Sequence, residues 1–226
     1  MKKEQNDENI NENIINKMKP IQFEKLKDIM LKGEKCVVKV LIEDKDNNKI
    51  SSGTGFFCKL PIRNNYLNVF LTNNHVINEE FLKNKKELKI EYLKQIKIIN
   101  LNKNRFIFTN ADIDFTIIEI LDEDLINEFF EVEEYINEND CLNKEISIIQ
   151  HPKGEGISFA NGIIINFNDK FIKHSASTEQ GSSGSPIIFF NNTKVIGIHK
   201  GFNKKENINL GIFINKISQN INFIYF

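Results

Sequence analysis

Three short segments carry residue types that together could perform acyl transfer. Gly181-Ser182-Ser183-Gly184-Ser185-Pro186 is a small-residue turn leading into the apolar run Ile187–Phe190. A nucleophilic serine needs an exposed hydroxyl on a tight turn, with backbone N–H groups beside it to hold a developing oxyanion. Ser183 fits the first role, and the N–H groups of Gly181 and Ser183 fit the second. Taken alone, such a turn ahead of a strand is most often only a turn. The second segment, Leu71-Thr72-Asn73-Asn74-His75-Val76, ends an apolar strand in a histidine, a side chain able to act as a general base near neutral pH. The third is Asp112-Ile113-Asp114 before Phe115-Thr116-Ile117-Ile118. A buried carboxylate is costly unless paired, and an imidazole is a suitable partner. Asp114 is favoured over Asp112 because it directly precedes the apolar run.

Such groups must be positioned by a rigid scaffold, and the chain reads as all-β. From Cys36 onward, short runs rich in Val, Ile, Phe and Thr alternate with Asn, Asp and Gly turns, the pattern of a sandwich or barrel. One set of predicted strands comprises Cys36–Ile42, Gly55–Lys59, Leu67–Thr72, Leu88–Tyr92 and Phe115–Ile120. A second set comprises Glu145–Gln150, Gly162–Asn166, Pro186–Phe190, Val195–His199 and Gly211–Ile214. Residues 121–140 separate the sets with nine carboxylates and no Lys or Arg, which suits a solvated connection with some helical character. The expected organisation is therefore a polar, disordered tail over 1–19, a short helix over 20–33 stopped by Gly33, a first barrel over 34–120, the acidic linker, and a second barrel over 141–226.

The bulk numbers exclude several classes. The 226 residues are 40% hydrophobic and 27% charged with a formal net charge of −1, so no global basic excess points to nucleic acid. A basic strip, Lys83, Lys85, Lys86, Lys89, Lys94, Lys97, Lys103 and Arg105, reads as the solvated face of a hairpin, since it lacks aromatic platforms for bases. The three cysteines are widely spaced and none forms a Cys-x-x-Cys pair; His151 and His174 lack ligand-like spacing. No metal, cofactor or disulfide framework is expected. No apolar run reaches the ~18 residues needed to span a bilayer, and the first twenty residues lack the apolar stretch of a secretory signal. A cytoplasmic location without membrane contact is expected; the oligomeric state is left open.

Read together, the order His, Asp, Ser across two β halves resembles the trypsin-like serine peptidases of chymotrypsin fold, and within them the V8-like glutamyl endopeptidase branch. The likeness covers roughly residues 36–218. Its motifs are Gly53-Thr54-Gly55-Phe56-Phe57, Thr72-Asn73-Asn74-His75-Val76, Asp114-Phe115-Thr116-Ile117-Ile118, His151-Pro152-Lys153-Gly154, Ser177-Thr178, Gly181–Pro186, Val195–Gly201 and Gly211-Ile212-Phe213-Ile214. The resemblance implies two six-stranded-type antiparallel barrels and a triad of His75, Asp114 and Ser183, with Ser183 ahead of Ser182 and Ser185 because it centres the Gly-x-Ser-Gly turn. It implies an oxyanion hole from Gly181 and Ser183, and a protein or peptide substrate contacted by Thr178, His199, Lys200 and Gly201. In the V8-like branch the counterparts of Thr178 and His199 bind a Glu carboxylate. Phe202, where that branch often carries a second Gly, and the long polar N-terminal extension depart from its pattern. The competing expectation is a catalytically inactive module that keeps the barrels as a peptide- or protein-binding surface.

Overall fold

β-branched and aromatic side chains pack best on a half-buried pleated surface, and they dominate this chain. The computed structural model describes residues 23–44, 49–63, 65–102, 104–169 and 171–222. The predicted tail over 1–19 lies outside the described residues. In the first half, β1 (Val37–Asp44), β2 (Lys49–Ile62), β3 (Asn65–Thr72), β4 (Glu87–Tyr92), β5 (Gln95–Asn100), β6 (Ile107–Asn110) and β7 (Phe115–Glu119) form one antiparallel sheet in the order β5-β4-β1-β2-β3-β7-β6. The short β8 (Phe130–Glu131) adds to β2 in parallel. In the second half, β9 (Glu145–Gln150), β10 (Ser158–Phe167), β11 (Ile172–His174), β12 (Pro186–Phe189), β13 (Val195–Asn203) and β14 (Ile208–Phe213) close into a barrel, β10-β11-β14-β13-β12-β9.

The expectation of two closed barrels is therefore met only in the second half. The first sheet is open, with β5 and the four-residue β6 as its unjoined edges. Closure depends on a pairing between strands that are not chain neighbours, and strand pattern alone carries no signal for it.

Alternation along the strands builds two cores in the first half and shares one of them with the second. Phe56 and Cys58 of β2 face a core that also takes Ile188, Val195, Ile198 and Ile212 from the barrel, whereas Phe57 faces a separate core with Val38, Phe70, Leu88 and Ile90. On β12, Ile187 points into the barrel interior with Ile146, Ile148 and Phe213, and Ile188 points to the shared core. Strands buried on both faces read as continuous apolar runs, which is why Val69-Phe70-Leu71 shows no polar alternation.

Three sequence expectations need correction. The helix α1 (Phe23–Cys36) does not stop at Gly33; it continues one turn, because a Cβ on Gly33 would collide with Ile149 and the missing side chain lets the helix lie against β9. Arg105 is not part of a solvated basic strip. It is buried and grips the buried Asp124 with two hydrogen bonds of 2.5 and 3.0 Å, donating also to the Glu119 carbonyl. Residues 121–140 are correspondingly not a free acidic strap. Besides Asp124 they bury Phe129, Phe130 and Val132, and Val132 bridges to Val195 of β13. Two further α-helices are found among the described residues. The six-residue α2 (Glu79–Asn84) is capped by Asn78, and α3 (Ile214–Asn222) buries Ile214, Ile217 and Ile221 at helical spacing.

Candidate active site

His75 follows the end of β3 on a helical turn in which the N–H groups of Val76 and Ile77 both donate to the Asn73 carbonyl. The two asparagines before it fasten this turn. Asn73 Nδ2 donates to the Asp114 carbonyl at 2.9 Å, and Asn74 Nδ2 donates to Thr109 Oγ1 of β6 at 2.6 Å. The His75 ring is left about half exposed, its side chain retaining 48% of its accessible surface.

Asp114 is buried at the head of β7 in a left-handed backbone conformation, φ +62°, which Asp tolerates better than most residues. Its Oδ1 accepts the His75 backbone N–H at 2.9 Å, and its Oδ2 lies 2.8 Å from His75 Nδ1. Lys200 Nζ donates to the same Oδ2 at 2.5 Å. Burial alone would raise the carboxyl's pKa, but hydrogen bonds from His75 and Lys200 outweigh it and hold Asp114 below the usual carboxylate range. Asp112, the alternative, is exposed.

The turn carrying Ser183 is bonded on every side. Ser182 and Ser185 are fully buried and their hydroxyls are committed, Ser182 Oγ accepting the Glu179 N–H at 3.1 Å and Ser185 Oγ donating to the Ser182 carbonyl at 2.6 Å. Ser183 alone of the three reaches solvent, and its Oγ donates to the Lys200 carbonyl at 3.2 Å. Gly184, at φ +90°, cannot be replaced by a larger residue because a Cβ would strike the Thr54 carbonyl and Thr72 Oγ1. Among the described residues, the N–H groups of Gly181 and Ser183 are given to no protein acceptor.

One residue of the first half locks this turn in place. Thr54 is buried on β2; its N–H donates to the Ser183 carbonyl at 2.9 Å and its Oγ1 donates to the Gly181 carbonyl at 2.8 Å. The same Oγ1 accepts the His151 N–H at 3.0 Å, and the Thr54 carbonyl accepts Thr72 Oγ1 at 2.7 Å.

The four residues expected to contact substrate diverge. Thr178 Oγ1 donates to Asn209 Oδ1 at 2.7 Å, while Asn209 Nδ2 donates to the Ala176 carbonyl at 2.9 Å. His199 is buried against His174, with His199 Nδ1 3.1 Å from His174 Nε2. Desolvation lowers the pKa of His174 to about 3 and that of His199 well below its ordinary value, so both are neutral. Gly201 is open, with nothing near the position of a Cβ, at φ +151°. The Lys200 side chain is directed onto Asp114. No local pattern in the sequence announces the contacts of Thr54 with Gly181, of His174 with His199 or of the Lys200 side chain with Asp114. Among the described residues no group of three or more His, Cys, Asp or Glu side chains forms a metal site. Cys36 and Cys141 are buried thiols whose pKa rises to about 12 and about 11, chiefly through desolvation.

Residues 53–198, well over half of the chain, match the family model described as the trypsin-like peptidase domain. The fold is similar to that of a serine endoprotease from Yersinia pestis, with a TM-score of 0.65 at 16% identity over 92% of this chain and 68% of that one. It is also similar to the Rv3671c protease from M. tuberculosis. In the active form the TM-score is 0.67 at 15% identity, over 89% of this chain and 86% of the other. In the inactive form it is 0.65 at 15% identity, over 92% and 98%. No curated protein matches the sequence.

Thr54→Val keeps the shape of the side chain but orphans the Gly181 carbonyl and the His151 N–H. It should destabilise the fold by about 2 to 4 kcal/mol, at ~1–3 kcal/mol per buried unsatisfied group. Urea unfolding measures this, and Thr54→Ser should lose less. The depressed histidines predict a pH dependence of stability. The unfolded chain binds protons on these histidines near their ordinary 6.5 while the folded His174 resists until about 3. Stability is therefore complete above that ordinary value and falls with pH, by about 1.4 kcal/mol per unit for each such histidine. Urea midpoints at neutral and mildly acidic pH check it, and equal midpoints would contradict a neutral buried pair.

Proposed function

Because the chain belongs to the trypsin-like peptidase domain family, we propose that it is a serine endopeptidase in which Ser183 attacks a peptide carbonyl, His75 takes and returns the proton, and Asp114 orients His75. The observation that carries this reading is the doubly bonded pair in which Asp114 accepts both the backbone N–H and the ring Nδ1 of His75. Holding Nδ1 in this way fixes the imidazole with its other nitrogen free for proton transfer, and the buried carboxylate stabilises the imidazolium that forms. Attack requires the Ser183 hydroxyl to leave the Lys200 carbonyl, its partner in the resting protein. The uncommitted N–H groups of Gly181 and Ser183 hold the oxyanion of the tetrahedral intermediate. Collapse of that intermediate expels the amine, protonated by His75, and water then releases the acyl group by the same route.

Substrate adds as a strand. Beyond Ile198, β13 pairs with β14 but not with β12, which leaves one edge of residues 200–203 for an extended peptide. A Glu preference at P1, in the manner of the V8-like branch, is the finer part of the proposal. Its support is that Thr178 bonds Asn209, which strand register sets opposite His174, the partner of the buried His199.

The test is labelling of the full chain by a fluorophosphonate probe. Wild type should label, Ser183→Ala and His75→Ala should not, and turnover of a peptide ester should fall by about 10⁴ to 10⁶ in the variants. Absence of labelling in wild type would leave a peptide-binding module. Peptides with P1 Glu should then be cleaved faster than their P1 Gln counterparts, and equal rates would end the Glu assignment alone.

A further inference from the structure

The Asp114 carboxylate serves two partners, the His75 residue and the Lys200 ammonium. Oδ1 is occupied by the His75 backbone N–H, while Oδ2 lies within hydrogen-bond distance of both His75 Nδ1 and Lys200 Nζ, at 2.8 and 2.5 Å. Lys200 comes from β13 of the closed barrel, whereas Asp114 stands at the head of β7 in the open sheet, so the ion pair crosses between the two halves. The lysine side chain is only 29% exposed, and its ammonium lies 5.6 Å from the centre of the Phe171 ring. Its own backbone carbonyl accepts the Ser183 hydroxyl. One residue thus touches the acid with its side chain and the serine with its main chain.

We infer that Lys200 is a positioning residue for the Asp114–His75 pair and that its charge sets the lower pH limit at which His75 works as a base, an inference that rests on the triad reading above. A bare buried carboxylate beside an imidazole strongly favours the protonated ring. An ammonium on the same oxygen cancels much of that field, so the ring stays neutral, and able to accept a proton, to lower pH. The other titratable groups facing this pair act weakly by comparison. His199 of β13 and His174 of β11 behind it are both neutral, and Asp112 is exposed. The lowered Asp114 carboxyl agrees with a cation held on it.

The experiment is the pH profile of kcat/KM for a peptide ester, using the full chain as wild type, Lys200→Met, Lys200→Gln and Lys200→Arg, with Ser183→Ala as the blank. Removing the charge should move the acidic limb of Lys200→Met and Lys200→Gln upward by about 1 pH unit. Lys200→Arg should return it to the wild-type position. A limb that coincides with wild type in the neutral variants, even if kcat falls, overturns the inference, because a merely structural role would lower rate without moving the limb. A limb displaced equally in Lys200→Arg also overturns it. Failure of the triad reading is seen separately, as turnover in wild type that survives in Ser183→Ala. In that case the His75 ring is titrated by NMR in the Ser183→Ala chain with and without Lys200→Gln, and an unmoved midpoint overturns the inference.

Discussion

The site depends on one buried threonine. Thr54 commits all of its polar atoms: its N–H and hydroxyl hold the Ser183 and Gly181 carbonyls across the halves, its hydroxyl also accepts from His151, and its carbonyl accepts from Thr72 of its own sheet. A buried backbone carbonyl without a partner is costly, so the serine turn is stable only while β2 lies against it. Glycine at 184 follows from the same contact, since any side chain there would occupy the space taken by the Thr54 carbonyl. The turn that carries Ser183 is thus fixed to β2 by two sheets that share a core.

Charge is arranged with the same economy. Among the described residues two carboxylates are buried, and each is paired, Asp124 with Arg105 and Asp114 with Lys200 and the His75 ring. Arg105 and Asp124 tie the connector to β7, whereas the cluster on Asp114 ties the barrel to the first sheet. Breaking either pair by removing the cation would leave an uncompensated charge in the interior, which is costly. The neutral pair His174 and His199 solves the opposite problem, burying two bases without charge.

The parts of the molecule that were legible in the sequence are the local ones. His75, Asp114 and Ser183 each stand beside an apolar strand on a turn marked by Asn, Asp or Gly, and the structure brings His75 and Asp114 into direct contact. Glu145–Gln150 is legible to the residue because its three isoleucines, Ile146, Ile148 and Ile149, are β-branched and the run ends at His151-Pro152. The hairpin strand β5 and the short β6 and β11 were missed, since Lys or Thr breaks their pattern and each is six residues or fewer. Contacts that join distant segments had no local mark. Thr54 meets residue 181, His174 meets His199 and Lys200 meets Asp114 only after the sheets have packed. The open first sheet belongs to the same category, because closure is a relation between edges.

The connector has a bearing on survival as well as on assembly. A peptidase cuts chain that can be drawn out and laid along its own strand edge, and local opening sets how often that happens. Residues 121–140 join the two halves, so on the proposed reading they would be the natural place for such an enzyme to sever itself. Yet Phe130 and Glu131 are already paired with β2, the Glu133 N–H is bonded to the Val195 carbonyl, and Asp124 is held by Arg105. Drawing this stretch into a neighbouring molecule would first require breaking the shared core. On the proposed endopeptidase reading, the packing that aligns the two sheets also shields the connector from self-cleavage.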